Sequence, residues 1–440
     1  MSSIVNDALN LIKQNSVKFI DFRFTDMFGS WYHKTYKADS SKIELILANE
    51  IPIESSFAAG RNAYENIILL PDLTTAFLDP FCAQATLVIL CDAMDKDGKE
   101  YKYDSRSIAK RAHKYMLSTS IADQARFNSE MQFHIFDDVK YHTSKCSSYF
   151  KLDLIGENNS NKKQYDEINE LKDIMTPSND QLHDIRSEIL EMMSEVGIKP
   201  LSHYLQGVSK CGVEFECEEF LRSADNIQKF KYVVRNVANS YGKTTTFMPF
   251  PIKGCERNSM RCSQSLWKNN ENLFFNQNGK TSETCLYYIG GIIKHGQAIN
   301  AFAHPTTNSY ADHSYSGYFF ADFTQATTKI PHNGKVCDAI ANPYLCFTAQ
   351  LMAGLDGIKN KVHPDEALGE KLELESKSLS TVAQSLQDAL GALNHDKEFL
   401  LQGNVFTEEQ INEYIIAKKS EIKDKESAIH PVEFANYYNL

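Results

Sequence analysis

The chain has 440 residues, of which 42% are hydrophobic, and its formal net charge is −11 at pH 7. A chain of this length and apolar content can bury a large core, so the composition excludes global disorder. The negative charge argues against nucleic acid and anionic membrane as partners, because both require a basic surface.

The first hundred residues are predicted to be rich in strands. Apolar and polar residues alternate over residues 18–26, which is typical of a half-buried strand. Phe28-Gly29-Ser30 predicts a turn after that strand. The uninterrupted apolar run 86–91 predicts a strand that is buried on both faces.

The rest of the chain is predicted to mix helices with strands. Asp104 is predicted to cap a helix, because its side chain can accept from the free amides of the first turn. Asp184 is predicted to cap a second helix, which ends at Gly197. Residues 286–294 and 344–358 have the pattern of buried helices. These elements together predict an α+β protein.

The ten cysteines are scattered along the chain and do not have the spacing of a zinc site. Reduced thiols of this kind are typical of the cytosol. The N-terminus has no basic segment followed by a long apolar run, and the apolar runs of the chain are too short to span a bilayer. We therefore expect a cytoplasmic protein without a membrane segment.

Several long stretches carry a resemblance to a known family, among them KFIDFRFTD (18–26), YGKTTTFMP (241–249), LYYIGGIIKH (286–295) and LMAGLDGIKNKVHP (351–364). They resemble the corresponding stretches of bacterial type I glutamine synthetases, the glutamate–ammonia ligases. The matches follow the family's order over nearly the whole chain. The resemblance implies a β-grasp domain over residues 1–100 and a large α+β catalytic-type domain over residues 101–440. It also implies a dodecamer of two stacked hexameric rings, with each active site between neighbouring subunits.

The family reaction sets the chemistry that the site must supply. ATP activates glutamate as a γ-glutamyl phosphate, and ammonia then displaces the phosphate. This phosphoryl transfer depends on positioning and on neutralising negative charge. Mg²⁺ or Mn²⁺ requires carboxylate oxygens, and arginines hold the phosphates and the glutamate carboxylates.

The family's metal positions have lost most of their ligands in this chain. Glu130 matches the first metal glutamate, whereas Gln132 stands at the second. Tyr204 and Gly212 stand at the next two glutamate positions, and Arg261 stands at the metal-binding histidine. An amide ligates weakly, and a guanidinium has no lone pair to give a metal. The resemblance therefore implies that metal and ATP are bound weakly or not at all.

Positions that contact ATP in the family are partly retained. Ser265 matches an ATP-contacting serine, and Ser263, which stands at the family's second histidine, is a further candidate for cofactor binding. Lys199 stands at an ATP-contacting glutamate, so the charge at that position is reversed.

The substrate positions are changed as well. Asp312 stands at a substrate arginine, and Phe319 stands at the glutamate of the flap. In the N-terminal domain Ile53 stands at the aspartate that binds ammonium, with Glu54 one residue away as a candidate replacement. The adenylylation tyrosine of the family is replaced by Glu373.

Two alternatives for metal binding stay open. Glu214, Glu216 and Glu218 share one face of a predicted strand, and a two-residue shift of the alignment would bring Glu214 to a missing glutamate position. A second set that shares a face would suit a softer ion such as zinc. Its members are Glu130, Gln132 and His134.

Three functions are compatible with these residues. The first is a glutamine-synthetase-like pseudoenzyme of nitrogen metabolism. It would be a homo-oligomer that keeps the family scaffold and acts as a binding partner, or that co-assembles with an active glutamine synthetase. The alternative is an active ATP-dependent glutamate–ammonia or glutamate–amine ligase. The third is a binding module in which Arg257 and Arg261 hold an anionic metabolite. The combined loss of ligands favours the first, and the apolar tail 430–438, which in the family packs into the opposite ring, favours assembly.

Overall fold

A computed structural model describes residues 3–38, 43, 47, 56–59, 63–155, 180–206, 209–276, 278, 280–311, 337–364, 383–428 and 430. The predicted site residues Ile53, Glu54, Asp312 and Phe319 lie outside these ranges, as do Glu373 and the tail from residue 431. None of the described helices is both long and apolar enough to cross a membrane.

The N-terminal part is built on a mixed sheet. Its elements are α1 (Ser3–Gln14), β1 (Phe19–Thr25), β2 (Trp31–Lys37), β3 (Ser56–Ala59), β4 (Ala63–Pro71), a 3-10 helix (Leu73–Thr75), β5 (Phe77–Leu78) and β6 (Thr86–Asp95). Within the described residues the six strands have the order β2-β1-β6-β4-β3, with β5 on β6. β1 and β6 are parallel, whereas the other pairs are antiparallel.

Strand β1 is buried on both faces, so the prediction of a half-buried strand is wrong in that respect. Arg23 lies between the rings of Trp31 and Tyr232, 5.1 and 4.3 Å from their centroids. It also donates to Asp21 and Asp79, at 2.7 Å in both cases. Partners distant in sequence therefore cover the face that alternation alone assigned to solvent. The turn at residues 28–30 and the buried strand at 86–91 are confirmed.

The larger part contains a second sheet and a separate hairpin. Its strands are β7 (Gln124–Phe136), β8 (Asp138–Thr143), β9 (Ser148–Asp153), β10 (Pro200–Gln206), β11 (Lys210–Glu219), β12 (Thr244–Thr246), β13 (Ser259–Lys268), β14 (Glu271–Asn272) and β15 (Cys337–Asp338). In the described ranges the sheet has the order β10-β11-β7-β13-β14, with β12 on β7 and β15 on β13. These pairs are antiparallel, and β8 pairs with β9 alone.

Helices pack around this sheet. They are α2 (Ser105–Thr119), α3 (His183–Glu195), α4 (Phe220–Ser240), α5 (Glu283–Lys294), α6 (Gly296–Ala303), α7 (Pro343–Asn360), α8 (Leu386–His395), α9 (Glu398–Leu401) and α10 (Glu408–Glu426), with 3-10 helices at Thr307–Tyr310 and Gln402–Asn404. The two predicted buried helices lie in α5 and α7 and are confirmed. Their backbones touch, because a Cβ atom on Gly291 would lie 2.1 Å from the carbonyl oxygen of Ala353.

One of the two predicted helix caps is confirmed. The side chain of Asp104 accepts from the backbone N–H of Arg106 at the start of α2. Asp184 does not cap α3, because the helix begins one residue earlier and Asp184 lies inside its first turn. Its negative charge still stabilises the helix, because it lies near the positive end of the helix dipole. Gly197 follows the end of α3 with φ of 77°, as the C-terminal signal predicts.

Arg106 connects the two parts of the chain. Its Nε and Nη2 donate to the two carboxylate oxygens of Asp225 in α4, at 2.9 Å each. Its Nη1 donates to Asp92 of β6 at 2.8 Å, and its Nη2 also donates to Asp72 at 2.9 Å. Because Asp92 lies in β6 and Asp72 directly follows β4, this buried guanidinium joins the N-terminal sheet to the helices of the larger part.

Candidate functional site

The candidate site lies on one face of the larger sheet. The register places Arg261 opposite Glu130, Gly212 opposite Gln132, and Tyr204 opposite Gly212. Directly paired residues of antiparallel strands share a face, and so do residues two apart on one strand. The sheet therefore brings together the residues that stand at the family's metal positions.

Glu130 is bound by its neighbours on this face. Arg261 Nη1 donates to its Oε2 at 3.0 Å, and the hydroxyl of Tyr204 donates to its Oε1. The Nε2 of Gln132 lies 3.4 Å from the same Oε1. The Glu130 side chain is only 12% exposed, whereas the Arg261 side chain is 51% exposed. Charge-assisted hydrogen bonds of this kind are stronger than neutral ones. The negative charge of the Glu130 carboxylate is therefore already balanced within the protein by the Arg261 guanidinium.

The amide of Gln132 is fixed at both ends. Its Nε2 donates to the hydroxyl of Tyr204 at 2.9 Å. Its Oε1 accepts from the hydroxyl of Ser259 at 2.7 Å and from the backbone N–H of Ser259 at 3.2 Å. An amide oxygen has two acceptor lone pairs, and both are used here. Gln132 therefore acts as a structural link rather than as a free metal ligand.

Tyr204 fills the space beside Gly212. A Cβ atom on Gly212 would lie 2.0 Å from Cζ of the Tyr204 ring, so no larger residue fits at 212 while the ring stays in place. Burial raises the pKa of the Tyr204 phenol well above its usual range, and the negative charge of Glu130 raises it further. The phenol is therefore protonated at neutral pH and serves as a hydrogen-bond donor.

Of the glutamates of strand β11, only Glu214 is placed beside the site, because the register shifts after Phe215 and Glu218 pairs with Phe127, so the expected common face for the three is wrong. Glu214 is opposite Glu130 and accepts from the hydroxyl of Ser202 at 2.9 Å. Glu216 and Glu218 lie 3.3 and 3.8 Å from the ammonium of Lys199, whose side chain is mostly exposed. In the part of the chain that the structure describes, no three His, Cys, Asp or Glu side chains converge as a metal site.

His134 has a structural role, which argues against the zinc alternative. The side chain is buried, and its Nδ1 is hydrogen-bonded to Oδ1 of Asn258 at 2.8 Å. Burial lowers the pKa of His134 to about 4, although the contact with Asn258 opposes this shift. The ring is therefore neutral and fixed by a protein partner.

Ser263 and Ser265 lie on strand β13, two and four residues beyond Arg261 and on the same face. Ser263 is buried opposite Asn128. The hydroxyl of Ser265 accepts from Trp267 Nε1 at 2.9 Å. These two serines therefore face the same side of the sheet as the Glu130 cluster.

Arg257 does not belong to the exposed site, so the predicted pairing of Arg257 with Arg261 around an anion is wrong. Arg257 is buried, with Nη1 donating to Asp338 at 2.8 Å and Nη2 donating to the carbonyl oxygen of Ser309 at 2.6 Å. Its charge is balanced by a buried carboxylate, and this leaves Arg261 as the exposed guanidinium of the pair.

The donor set does not fit the divalent ions that the family implies. Hard cations such as Mg²⁺ and Mn²⁺ prefer several carboxylate oxygens. Glu130 supplies the carboxylate at the family's metal positions, with Glu214 beside it at the rim, and the guanidinium of Arg261 lies 3.0 Å from Glu130. An ion at this place would have to displace that cation and the phenol of Tyr204. The residues at the family's metal positions therefore do not form a centre for a divalent metal ion.

The sequence did not reveal two features of the cluster. One is Ser259, whose hydroxyl and backbone N–H hold the amide of Gln132. The other is the ion pair that makes Arg261 a partner of Glu130. The sequence does contain a tyrosine and a glycine at two glutamate positions and an arginine at a histidine position. These replacements indicate a shared cluster only when the strand register, which places them side by side, is known.

Comparisons with known proteins agree with this fold. Residues 16–96 match the family described as "Glutamine synthetase, beta-Grasp domain", and residues 102–317 and 325–437 match "Glutamine synthetase, catalytic domain". The glutamine synthetase of Rhizobium meliloti is 39% identical over 469 aligned positions, which cover 99% of each chain. That of Escherichia coli is 40% identical, with 98% of this chain and 99% of the relative covered.

Solved structures show the same architecture. The chain resembles a cryo-EM structure of Plasmodium falciparum glutamine synthetase with a TM-score of 0.83, 22% identity, and coverage of 100% of this chain and 99% of that one. It also resembles apo GmaS, with a TM-score of 0.79, 22% identity, and coverage of 98% and 99%. At these identities the likeness concerns the fold alone, and it agrees with the predicted α+β class. The chain therefore belongs to the glutamine synthetase family, within its bacterial type I group, with an N-terminal β-grasp domain and a catalytic-type domain.

Proposed function

We propose that this chain is a pseudoenzyme of the glutamine synthetase family. It keeps the family's scaffold, has lost the ATP-dependent ligation of glutamate and ammonia, and acts in the cytoplasm as a binding or co-assembly partner. The observation that carries this proposal is the hydrogen-bonded cluster of Glu130, Arg261, Tyr204 and Gln132 on the site face of the sheet.

The electrostatics of that cluster support the loss of metal binding. Arginine stays protonated at any physiological pH, so Arg261 brings a permanent positive charge to a position where the family has a neutral histidine. A divalent cation close to that guanidinium would be repelled by its positive charge. Because phosphoryl transfer depends on cations that neutralise the phosphates, weak metal binding would also remove most of the catalysis.

The partner in this proposal is another subunit of the same fold. The chain matches glutamine synthetases over nearly its whole length, including the apolar tail that the family uses for assembly. We propose a homo-oligomer, in the arrangement of a double hexameric ring, or a mixed ring with an active glutamine synthetase. We also propose that the boundary between the β-grasp domain and the catalytic-type domain lies between residues 100 and 101.

The alternative function is an active glutamate–ammonia or glutamate–amine ligase. The observation that favours it is the full-length identity of 39–40% to proteins named glutamine synthetase. This alternative requires Mg²⁺ or Mn²⁺ together with ATP, and so it requires the Arg261–Glu130 pair to open. The two functions therefore differ in metal binding as well as in turnover.

Activity measurements separate them. Purified full-length protein should show no γ-glutamyl transfer to hydroxylamine with Mn²⁺ and ADP present, and no ATP-dependent glutamine synthesis with Mg²⁺. Turnover that is abolished by Glu130→Gln would reject the pseudoenzyme and establish the ligase. A matched variant at the rim, Glu214→Gln, controls for a general loss of charge on this face.

Assembly is tested independently of catalysis. Size-exclusion chromatography with light scattering should give a mass many times that of the 50.0 kDa chain. Co-expression with a tagged active glutamine synthetase should then show whether both chains enter one particle. A monomer in the first measurement would reject the scaffold role, whatever the activity assay shows.

A further inference from the structure

Two cysteine thiols meet in the core beside the site face. Cys337 belongs to the short strand β15, and Cys346 belongs to the first turns of α7. Both residues are buried, and all ten cysteines of the chain are free thiols. Their sulfur atoms are 3.2 Å apart, with Cys346 Sγ donating to Cys337 Sγ.

The surroundings of the pair are compatible with a covalent link. A disulfide bond is about 2.05 Å long, so the sulfurs would approach by a little over an ångström. The amide Nε2 of Gln350 donates to both sulfurs at 3.2 Å. The sulfur atoms of a disulfide keep lone pairs that can accept from this amide. The buried Nε2 of Gln350 would therefore still have a hydrogen-bond partner after oxidation.

We propose that Cys337 and Cys346 form an intrachain disulfide when the folded protein meets a peroxide. One thiol, as its thiolate, attacks a peroxide oxygen, which cleaves the O–O bond and gives a sulfenic acid and one water. The second sulfur then attacks the sulfenic sulfur, and the hydroxyl group leaves as a second water. Two thiols are thus oxidised by two electrons while one hydrogen peroxide is reduced to two waters.

The disulfide would act on the strand that borders the candidate site. Cys337 pairs with Met260 and Asp338 pairs with Ser259 in the antiparallel β13–β15 ladder. Ser259 is the residue whose hydroxyl holds Gln132, and Met260 precedes Arg261. Tying Cys337 to α7 therefore fixes the ladder that supports the cluster. This inference does not depend on the loss of catalysis, because it rests on the thiol pair alone.

Burial sets the expected rate of the reaction. Burial raises the pKa of the Cys337 thiol well above its usual range, and the neighbouring Cys346 thiol adds to this shift. Since the thiolate is the reactive form, the pair should react more slowly than exposed cysteines. The exposed cysteines of the structure are Cys82, Cys146 and Cys217. Their oxidation is expected first, with the cross-link following through brief local opening of the fold.

The test uses the full-length native protein and hydrogen peroxide. After treatment, free thiols are alkylated in denaturant, the protein is digested without reduction, and peptides are mapped by mass spectrometry. The expected product is a linkage between the peptides that contain Cys337 and Cys346, which dithiothreitol reverses. The same linkage should form in a variant whose exposed cysteines are all serine, C82S/C146S/C217S.

Two single variants and a control complete the experiment. C337S and C346S should each abolish the linkage, whereas the control C285S, which removes a buried cysteine outside the pair, should leave it unchanged. Oxidised native wild type should also unfold at a higher temperature than the reduced protein, and C337S should lose this shift. The proposal is overturned if Cys337 and Cys346 stay free, or are oxidised separately, while the exposed cysteines react. A linkage that forms only in denaturant would overturn it equally.

Discussion

Replacing Arg106 with leucine should be among the most destabilising single changes in the chain. Arg106 has only 2% of its surface exposed and joins Asp225 of α4 to Asp92 of β6 and to Asp72, which follows β4. In the variant, Lys110 still lies close to Asp72 and Asp92. Asp225 would keep the hydrogen bond from the Tyr344 hydroxyl at 2.7 Å but would lose its counter-charge.

The magnitude follows from this uncompensated buried carboxylate. Removing one partner of a buried ion pair typically costs about 3–5 kcal/mol, because the remaining charge stays in a poorly solvating environment. A domain is stable by only about 5–15 kcal/mol, so the loss should be visible in expression as well as in unfolding. Removing the second charge too, in Arg106→Leu/Asp225→Leu, should recover part of the loss.

Urea unfolding followed by circular dichroism measures these differences as shifts of the midpoint. A control substitution in an exposed pair, Lys140→Met, should leave the midpoint nearly unchanged, because Lys140 and Asp138 are both more than half exposed. The reasoning would be refuted if Arg106→Leu matched Lys140→Met, or if the double variant were less stable than the single one.

Three further changes test separate contacts. Burial lowers the pKa of His295, but hydrogen bonds to Asp356 and Asp396 outweigh this effect and raise the pKa above 6.5. The protonated ring therefore stabilises the folded state fully below pH 6.5, and this stabilisation is lost as the pH rises through the raised pKa. Urea midpoints should therefore fall with rising pH in wild type and change less in His295→Gln. Gly212→Ala should cost about 1–3 kcal/mol in the same assay, because the new Cβ atom would clash with the Tyr204 ring. Adding Tyr204→Ala to that variant should relieve the clash. Tyr204→Phe should cost about 1–3 kcal/mol, because it removes the donor to Glu130, and unchanged stability would contradict that bond.

Local patterns predicted most of the scaffold. The Asp104 cap, the buried strand at 86–91 and the helices at 286–294 and 344–358 each depend on a few neighbouring residues, and each is confirmed. The face of β1 that carries Arg23 was misjudged because Tyr232 and Asp79 cover it from distant parts of the chain. Alternation records the chemistry of a strand's two faces, but not what is packed on them.

The candidate site shows the same division. Alignment to a family indicates which positions have changed, and it predicted the residues that meet around Glu130. It does not indicate what the replacements do to one another, since Tyr204 lies seventy-four residues and Arg261 lies 131 residues from Glu130 along the chain. Only the strand register shows that they neutralise the carboxylate and fill the space beside Gly212.

Calorimetric titration of the folded full-length protein with Mn²⁺, in the absence of nucleotide, tests the central claim most directly. Wild type should show no saturable binding of Mn²⁺ tighter than roughly 1 mM. Restoring the family's ligands in Gln132→Glu/Tyr204→Glu/Gly212→Glu/Arg261→His should introduce binding that wild type lacks. Saturable, micromolar Mn²⁺ sites in wild type that Glu130→Gln removes would contradict the account.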